Sequence, residues 1–182
     1  LSEIDSKGGW AAVANIDASL ADFANISLNG SKTSVGFGSI DKSPNQRSQD
    51  DITSFAVSTS VNAGMLFPKK WGVIVPLSYS YNEETITPEY DPYFKDIKLK
   101  NRLDASNRLS QKDSIRKQAI SSTKLKSFNL IGVRKQRNPE SNQDFFDLEN
   151  FDFSYSFNQE TRSDYEIEDY SFQNLRIGAG YN

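Results

Sequence analysis

Cysteine and histidine are both absent from the 182 residues. That removes disulfides, thiolate chemistry, imidazole metal ligands and every His-dependent catalytic arrangement. No apolar run approaches the roughly 18–20 residues of a membrane helix, and mean hydropathy is −0.62. Low hydropathy does not exclude the membrane, because barrel strands turn half of their residues to water. The chain opens without a basic segment followed by an apolar stretch, so no export signal is visible. A formal charge of −3 gives no overall nucleic-acid signature, and no nucleic-acid partner is expected.

What the chain does have is a period of two. Trp10, Ala12, Ala14, Ile16, Ala18 and Leu20 fill every even position of their run, and Asn15, Asp17 and Ser19 stand between them. Strand side chains alternate between two faces, so this segment offers one face to an apolar medium and one to water. Its 11 residues exceed the roughly 5–6 common in soluble domains and match the roughly 9–11 of a tilted membrane strand. The pattern returns in Ala24–Asn29, in Ser54–Ala63 and in Val73–Asn82, where Ile74 and Pro76 blur it. Phe55, Val57 and Val61, then Val73, Val75, Leu77 and Tyr79, join the first run as candidate lipid-facing residues. Asn25, Ser27, Ser58, Ser60, Ser78 and Ser80 join Asn15, Asp17 and Ser19 on the water side. Phe151–Asn158 and Leu175–Asn182 alternate too, while the facing of Ser127–Arg134 is ambiguous. The expected class is all-β, an antiparallel meander of long hairpins.

Connection lengths alternate between short at Ala21–Phe23 and Gly64–Trp71 and long at Gly36–Asp51 and after Glu83. Outer-membrane barrels keep short turns on the periplasmic side. Asp22 and Pro68 are therefore expected inside, and Pro44 and Pro88 outside. Phe23, Phe67 and Trp71 at strand ends suit an interfacial aromatic girdle, with Lys69 and Lys70 in reach of phosphates. The organisation expected is four membrane-length strands over 1–82, a polar basic loop over 83–127 with one short helix near 104–120, and further strands over 128–182. Strands beyond these residues are needed, because six or seven cannot close a membrane barrel and open edges are not tolerated in lipid.

From Lys95 to Arg137 there are thirteen Lys or Arg against Asp96, Asp104 and Asp113, whereas Glu140–Asp169 holds ten acidic residues and one Arg. The basic run is either an anion-binding patch or a solvated loop paired with the acidic segment, and the second reading is preferred. Asp164, Glu166, Glu168 and Asp169 lack the ligand spacing and turn glycine of a hard-cation loop. Gly36-Phe37-Gly38 is half of a dinucleotide fingerprint and reads better as a turn. No residue is assigned a catalytic, cofactor-binding or metal-ligating role, and no enzyme is expected. The rival outside the membrane is a surface or periplasmic β-sandwich adhesin or binding module, although soluble sandwiches break their strands sooner.

Several longer motifs add a resemblance. Glu3-Ile4-Asp5, Lys7-Gly8-Gly9-Trp10, Ala21-Asp22-Phe23-Ala24, Val35-Gly36-Phe37-Gly38-Ser39-Ile40 and Pro68-Lys69-Lys70-Trp71-Gly72 are similar to the SprA/Sov family. So are Ile86-Thr87-Pro88-Glu89-Tyr90-Asp91-Pro92-Tyr93, Ile131-Gly132-Val133-Arg134-Lys135 and Asp164-Tyr165-Glu166-Ile167-Glu168-Asp169-Tyr170. The resemblance implies a segment of a very large transmembrane β-barrel, the outer-membrane translocon of the type IX secretion system of Bacteroidetes, also required for gliding motility. It implies no cofactor. The implied partners are outer-membrane lipid, secreted cargo that crosses folded to the cell surface, and plug and β-barrel proteins of the same system. The nine polar strand residues would then line the lumen as short, mostly uncharged side chains that wet the wall without gripping cargo.

Overall fold

A computed structural model of the chain describes residues 8–37, 49–136 and 148–181. The alternating runs form β1 (Ala11–Leu20), β2 (Ala24–Thr33), β3 (Asp50–Asn62), a two-residue β4 (Val73–Ile74), β5 (Pro76–Pro88), β6 (Ser121–Lys135), β7 (Phe151–Ser163) and β8 (Tyr170–Tyr181). They make one antiparallel sheet in the order β1-β2-β3-β5-β6-β7-β8, with β4 beside the end of β6. Apart from the short β4, neighbours in space are neighbours in sequence, so the meander expected from the hairpin spacing is the observed topology. The sheet is open. β1 and β8 are its edges, and these residues do not close a barrel.

The strands outrun the alternating stretches. β3, β5 and β7 each have 13 residues and β6 has 15. Pro76, which has no N–H for the ladder, is tolerated because it opens β5. β1 and β2 are joined by a three-residue turn in which Phe23 N–H donates to the Leu20 carbonyl at 3.1 Å and Ala21 takes φ 49°. A bulge lies in β6, where Leu130 faces Tyr155 and Val133 faces Phe153, and Gly132 at φ 74° supplies the left-handed backbone it needs.

Asp22 and Pro68 lie at one end of the sheet and Pro88 at the other, as expected; Pro44 is outside the described residues. The length alternation does not persist. The β6–β7 link, residues 136–150, joins the short-turn end, and the link opposite, 164–169, is the shorter. The insertion also differs from expectation. β5 continues to Pro88 and β6 starts at Ser121, so it spans 89–120 and not 83–127. It holds two helices, α1 (Leu99–Ala105) and α2 (Leu109–Ala119), in place of one over 104–120. Ser106 breaks them: its backbone is extended, and its hydroxyl donates to the Arg102 carbonyl at 3.1 Å, competing with the helix.

The packed core belongs to this insertion. Leu99, Ile115 and Ala119 are buried, with Leu103 and Ile120 against them. Among the described residues nothing comparable covers the sheet: Ile16 is 60% exposed and Ile177 76%. Among the described residues no helix is long and apolar enough to cross a membrane, which says nothing about strands.

Candidate functional site

Cross-strand partners share a face, so the register sorts every strand residue. One row runs Asp17, Ser27, Ser58, Ser80, Ser127, Asn158 and Asn174 from β1 to β8. The next runs Ser19, Asn25, Ser60, Ser78, Asn129, Ser156 and Arg176. Two adjacent rows across seven strands are thus all Ser or Asn except Asp17 and Arg176, which sit on the edge strands. The nine residues expected on the water side share this face, and Ser127, Asn129, Ser156, Asn158, Asn174 and Arg176 extend it. The hydroxyls and amides bond to one another: Ser19 to Asn25 at 2.7 Å, Ser127 to Asn158 at 2.6 Å and Ser156 to Asn129 at 2.6 Å.

The opposite face is apolar. Its rows run Ala18, Ile26, Thr59, Tyr79, Phe128, Phe157 and Leu175, then Leu20, Ala24, Val61, Leu77, Leu130, Tyr155 and Ile177. Ala12, Ala14, Ile16, Phe55 and Val57 share it; Val73 joins through Lys135, and Val75 lies between Val73 and Leu77 in the same alternation. Trp10 continues β1 upward, its carbonyl accepting from Ser34 N–H at 2.8 Å.

This apolar face is not a band perpendicular to the strands. Its limit toward the insertion is Trp10 on β1, Leu28 on β2, Phe55 on β3, Tyr81 on β5, Phe128 on β6, Phe157 on β7 and Leu175 on β8, an uneven descent that is level from β6 to β8. Leu175 lies in the row of Ala18, eight residues below Trp10. The other limit descends from the row of Leu20 on β1 to Phe151 and Tyr181 on β7 and β8. With a rise of about 3.3 Å and a strand spacing of about 4.8 Å, lines drawn from β1 to β8 along the two limits slope at roughly 40° and 25° to the rows. Aromatic side chains mark both: Trp10 at one end, and Phe23 with the stacked pair Phe67 and Trp71, ring centres 6.0 Å apart, at the other. Lys69 and Lys70 form the short helical turn that carries Trp71.

At the insertion end, two carboxylates organise the loops. Asp91 is 1% exposed; it accepts from the Arg102 guanidinium and from the amides of Tyr93 (2.9 Å) and Phe94 (3.0 Å). Burial alone would raise its pKa, but the hydrogen bond from Arg102 and those two amides outweigh burial and hold the carboxyl below the usual carboxylate range. Asp164 accepts from the amides of Glu166 (2.9 Å) and Ile167 (2.8 Å) and from Arg162 (2.8 Å), which lowers its pKa against a smaller desolvation. Its oxygens are engaged by its own turn, so Asp164 builds the β7–β8 loop. The Tyr93 hydroxyl donates to the Tyr165 carbonyl at 2.6 Å and ties that loop to the insertion.

The basic run finds its partners mainly upstream. Lys124 reaches Glu83 at 3.2 Å, Lys98 reaches Glu89 at 2.9 Å, and Arg102 pairs with Asp91. Lys135 pairs with Glu149 of the later acidic segment at 3.3 Å. Among the described residues the basic run therefore pairs more with the acids before it than with the later acidic segment, which the sequence reading preferred. Antiparallel neighbours bring β6 against β5, and the acids on β5 and just after it are the ones within reach.

The described residues thus form a one-layer antiparallel sheet of long strands with one apolar face and one polar face whose two central rows are almost all Ser and Asn. The family model of the motility-related and secretion proteins of the SprA N-terminal type matches residues 1–103. The match covers more than half of the chain, which therefore belongs to that family. No curated protein matches it significantly.

Proposed function

We propose that this chain is part of the wall of a large outer-membrane β-barrel, the type IX secretion translocon, through which folded cargo reaches the cell surface and on which gliding motility depends. The apolar face rests against acyl chains and the Ser/Asn rows line the aqueous conduit. The slope of the apolar face carries this reading. Membrane barrel strands tilt by roughly 35–45°, so a band level with the bilayer crosses successive strands at shifting heights. On β1 the face runs from Trp10 to Leu20, ten steps between eleven residues, about 34 Å along the strand and about 26 Å after a 40° tilt, near the roughly 25 Å of a barrel's apolar belt. Exposed edges at β1 and β8 demand further strands on both sides in lipid. Plug and β-barrel partners of the secretion system are part of this proposal.

These residues contain no cysteine, so single cysteines introduced here into a cysteine-free full-length background report on this sheet alone. Ser58→Cys and Ser80→Cys should react with a membrane-impermeant maleimide in intact outer membranes, and Val57→Cys and Ile177→Cys should stay protected. Equal labelling of all four, or a full-length protein soluble without detergent, would return the β-sandwich reading.

A further inference from the structure

Every lysine in the described strands lies on the apolar face. Lys32, Lys124 and Lys126 stand at its limit toward the insertion, and Lys135 stands at the other limit. The polar face has arginine but no strand lysine. Such segregation is not what solvation of scattered cations produces, since the polar face is the wetter one. The three lysines also sit just beyond the last apolar side chain of their strands. Lys126 follows Phe128 on β6, Lys124 comes next, and Lys32 follows Leu28 and Gly30 on β2. Two lie over ring faces at the boundary: Lys32 Nζ is 5.6 Å from the Trp10 ring centre and Lys126 Nζ 5.9 Å from that of Tyr81. An ammonium group held over an aromatic ring at the edge of an apolar face is a placement that lysine takes at a membrane boundary.

Lys124 and, from α2, Lys117 line one groove of about 570 Å³ together with Ser122, Thr161 and Arg162, and the carboxylates of Glu168 and Asp169 belong to the same lining; Lys126 stands two residues along β6 from Lys124. We infer that Lys117, Lys124 and Lys126 form a binding site for the phosphate of an anionic lipid headgroup, in the leaflet at the insertion end of the sheet. The inference rests on the apolar face being the lipid face. Lys124 shares its charge with Glu83 at 3.2 Å, while Lys126 reaches over Tyr81. A headgroup phosphate accepts from both ammonium groups along β6, and the hydroxyls of Ser122 and Thr161 supply neutral donors.

The test uses the full-length protein purified in detergent, with bound lipid counted by native mass spectrometry. The probes are phosphatidylglycerol, phosphatidylcholine and inorganic phosphate. The wild type should prefer phosphatidylglycerol over phosphatidylcholine, and Lys124→Gln with Lys126→Gln should cut that preference by about fivefold per lysine. Glu83→Gln, which frees Lys124, should raise it, a change that misfolding would not produce. Millimolar inorganic phosphate should not displace the lipid. An unchanged preference in the double variant, or displacement by phosphate, overturns the site and leaves the bilayer reading standing, because phosphatidylcholine still binds the apolar face. Absence of either lipid on the wild type overturns both.

Discussion

Lysine placed at Ile16 and at Gln173 probes the slope directly, because the two positions share a face and a register row. The row passes from Ile16 through Leu28, Val57, Tyr81, Lys126 and Gln159 to Gln173. If the apolar band ran along the rows, both substitutions would meet the same depth. On β1 the band spans Trp10 to Leu20, which puts Ile16 one residue, about 3 Å, from its midpoint. On β8 the band begins two residues beyond Gln173, at Leu175, which on the proposed reading puts Gln173 in the headgroup zone. A lysine near the bilayer midplane costs about 2–4 kcal/mol, and one near the interface about 0–1 kcal/mol. Ile16→Lys should therefore lower the folded fraction roughly 30- to 700-fold, while Gln173→Lys should cost less than about tenfold. Ile177→Lys, in the row of Leu20, lies inside the band on the same strand as Gln173 and should behave like Ile16→Lys. The measurement is the heat-modifiable, sarkosyl-insoluble full-length protein in outer-membrane fractions, at matched synthesis. Equal losses at Ile16 and Gln173, or tolerance at Ile177, would refute the tilt and with it the lipid-facing assignment.

Asp17→Lys on the polar face, beside neutral Ser27, should change assembly by less than about 0.5 kcal/mol in the same fractionation. Asp91→Asn removes the charge that Arg102 and two amides satisfy and should destabilise the insertion by about 2 kcal/mol, read as faster hydrogen exchange across 89–120 with the strands unchanged. Because the Asp91 pKa is lowered in the folded state, its stabilisation is complete above the ordinary carboxylate pKa and is lost as pH falls through the folded value. Protection of 89–120 should therefore decline in acid before that of β3 and β5, and Asp91→Asn should flatten the decline. Gly132→Ala meets no atom within 4 Å of the added Cβ, so its cost is the left-handed backbone at φ 74° alone, about 1–2 kcal/mol, measurable as a lower denaturant midpoint of the refolded full-length protein.

The meander and the two faces of β1, β3 and β5 were legible because each strand alternates without interruption through its middle. β6 was not, and Gly132 is the reason. The bulge puts Leu130 and Val133 on the same face with Ile131 and Gly132 between them, so no single period of two spans Ser127–Arg134. Reading Gly132 as a bulge would have assigned Ser127 and Asn129 to the water side. The strand ends toward the insertion were missed for another reason. Glu83, Glu84 and Lys124 lie in strands but are charged, and charge reads as loop unless the opposite strand is known to supply the counter-ion. The slope could not be read from any one strand, since it exists only in the register between strands. The helix break at Ser106 turned on one hydroxyl bonding backward to Arg102, a local competition that spacing does not reveal.

The two Ser/Asn rows bear on how a conduit for folded proteins can avoid capturing them. A wall of one charge sign would hold cargo of the opposite sign, since each charged hydrogen bond in a partly dehydrated contact contributes about 1.5–3 kcal/mol, and a few together would slow release by orders of magnitude. An apolar wall would capture any exposed hydrophobic surface. Short neutral side chains hold a water layer and offer single, weak bonds. Here part of that bonding is already consumed between strands, by Ser19 with Asn25, Ser127 with Asn158 and Ser156 with Asn129. On the proposed reading, Ser127→Lys with Ser156→Lys should leave assembly intact, since both sites face water, and yet slow secretion of acidic cargo more than of basic cargo. Secretion of both cargo classes at unchanged rates would show that cargo does not approach this part of the wall.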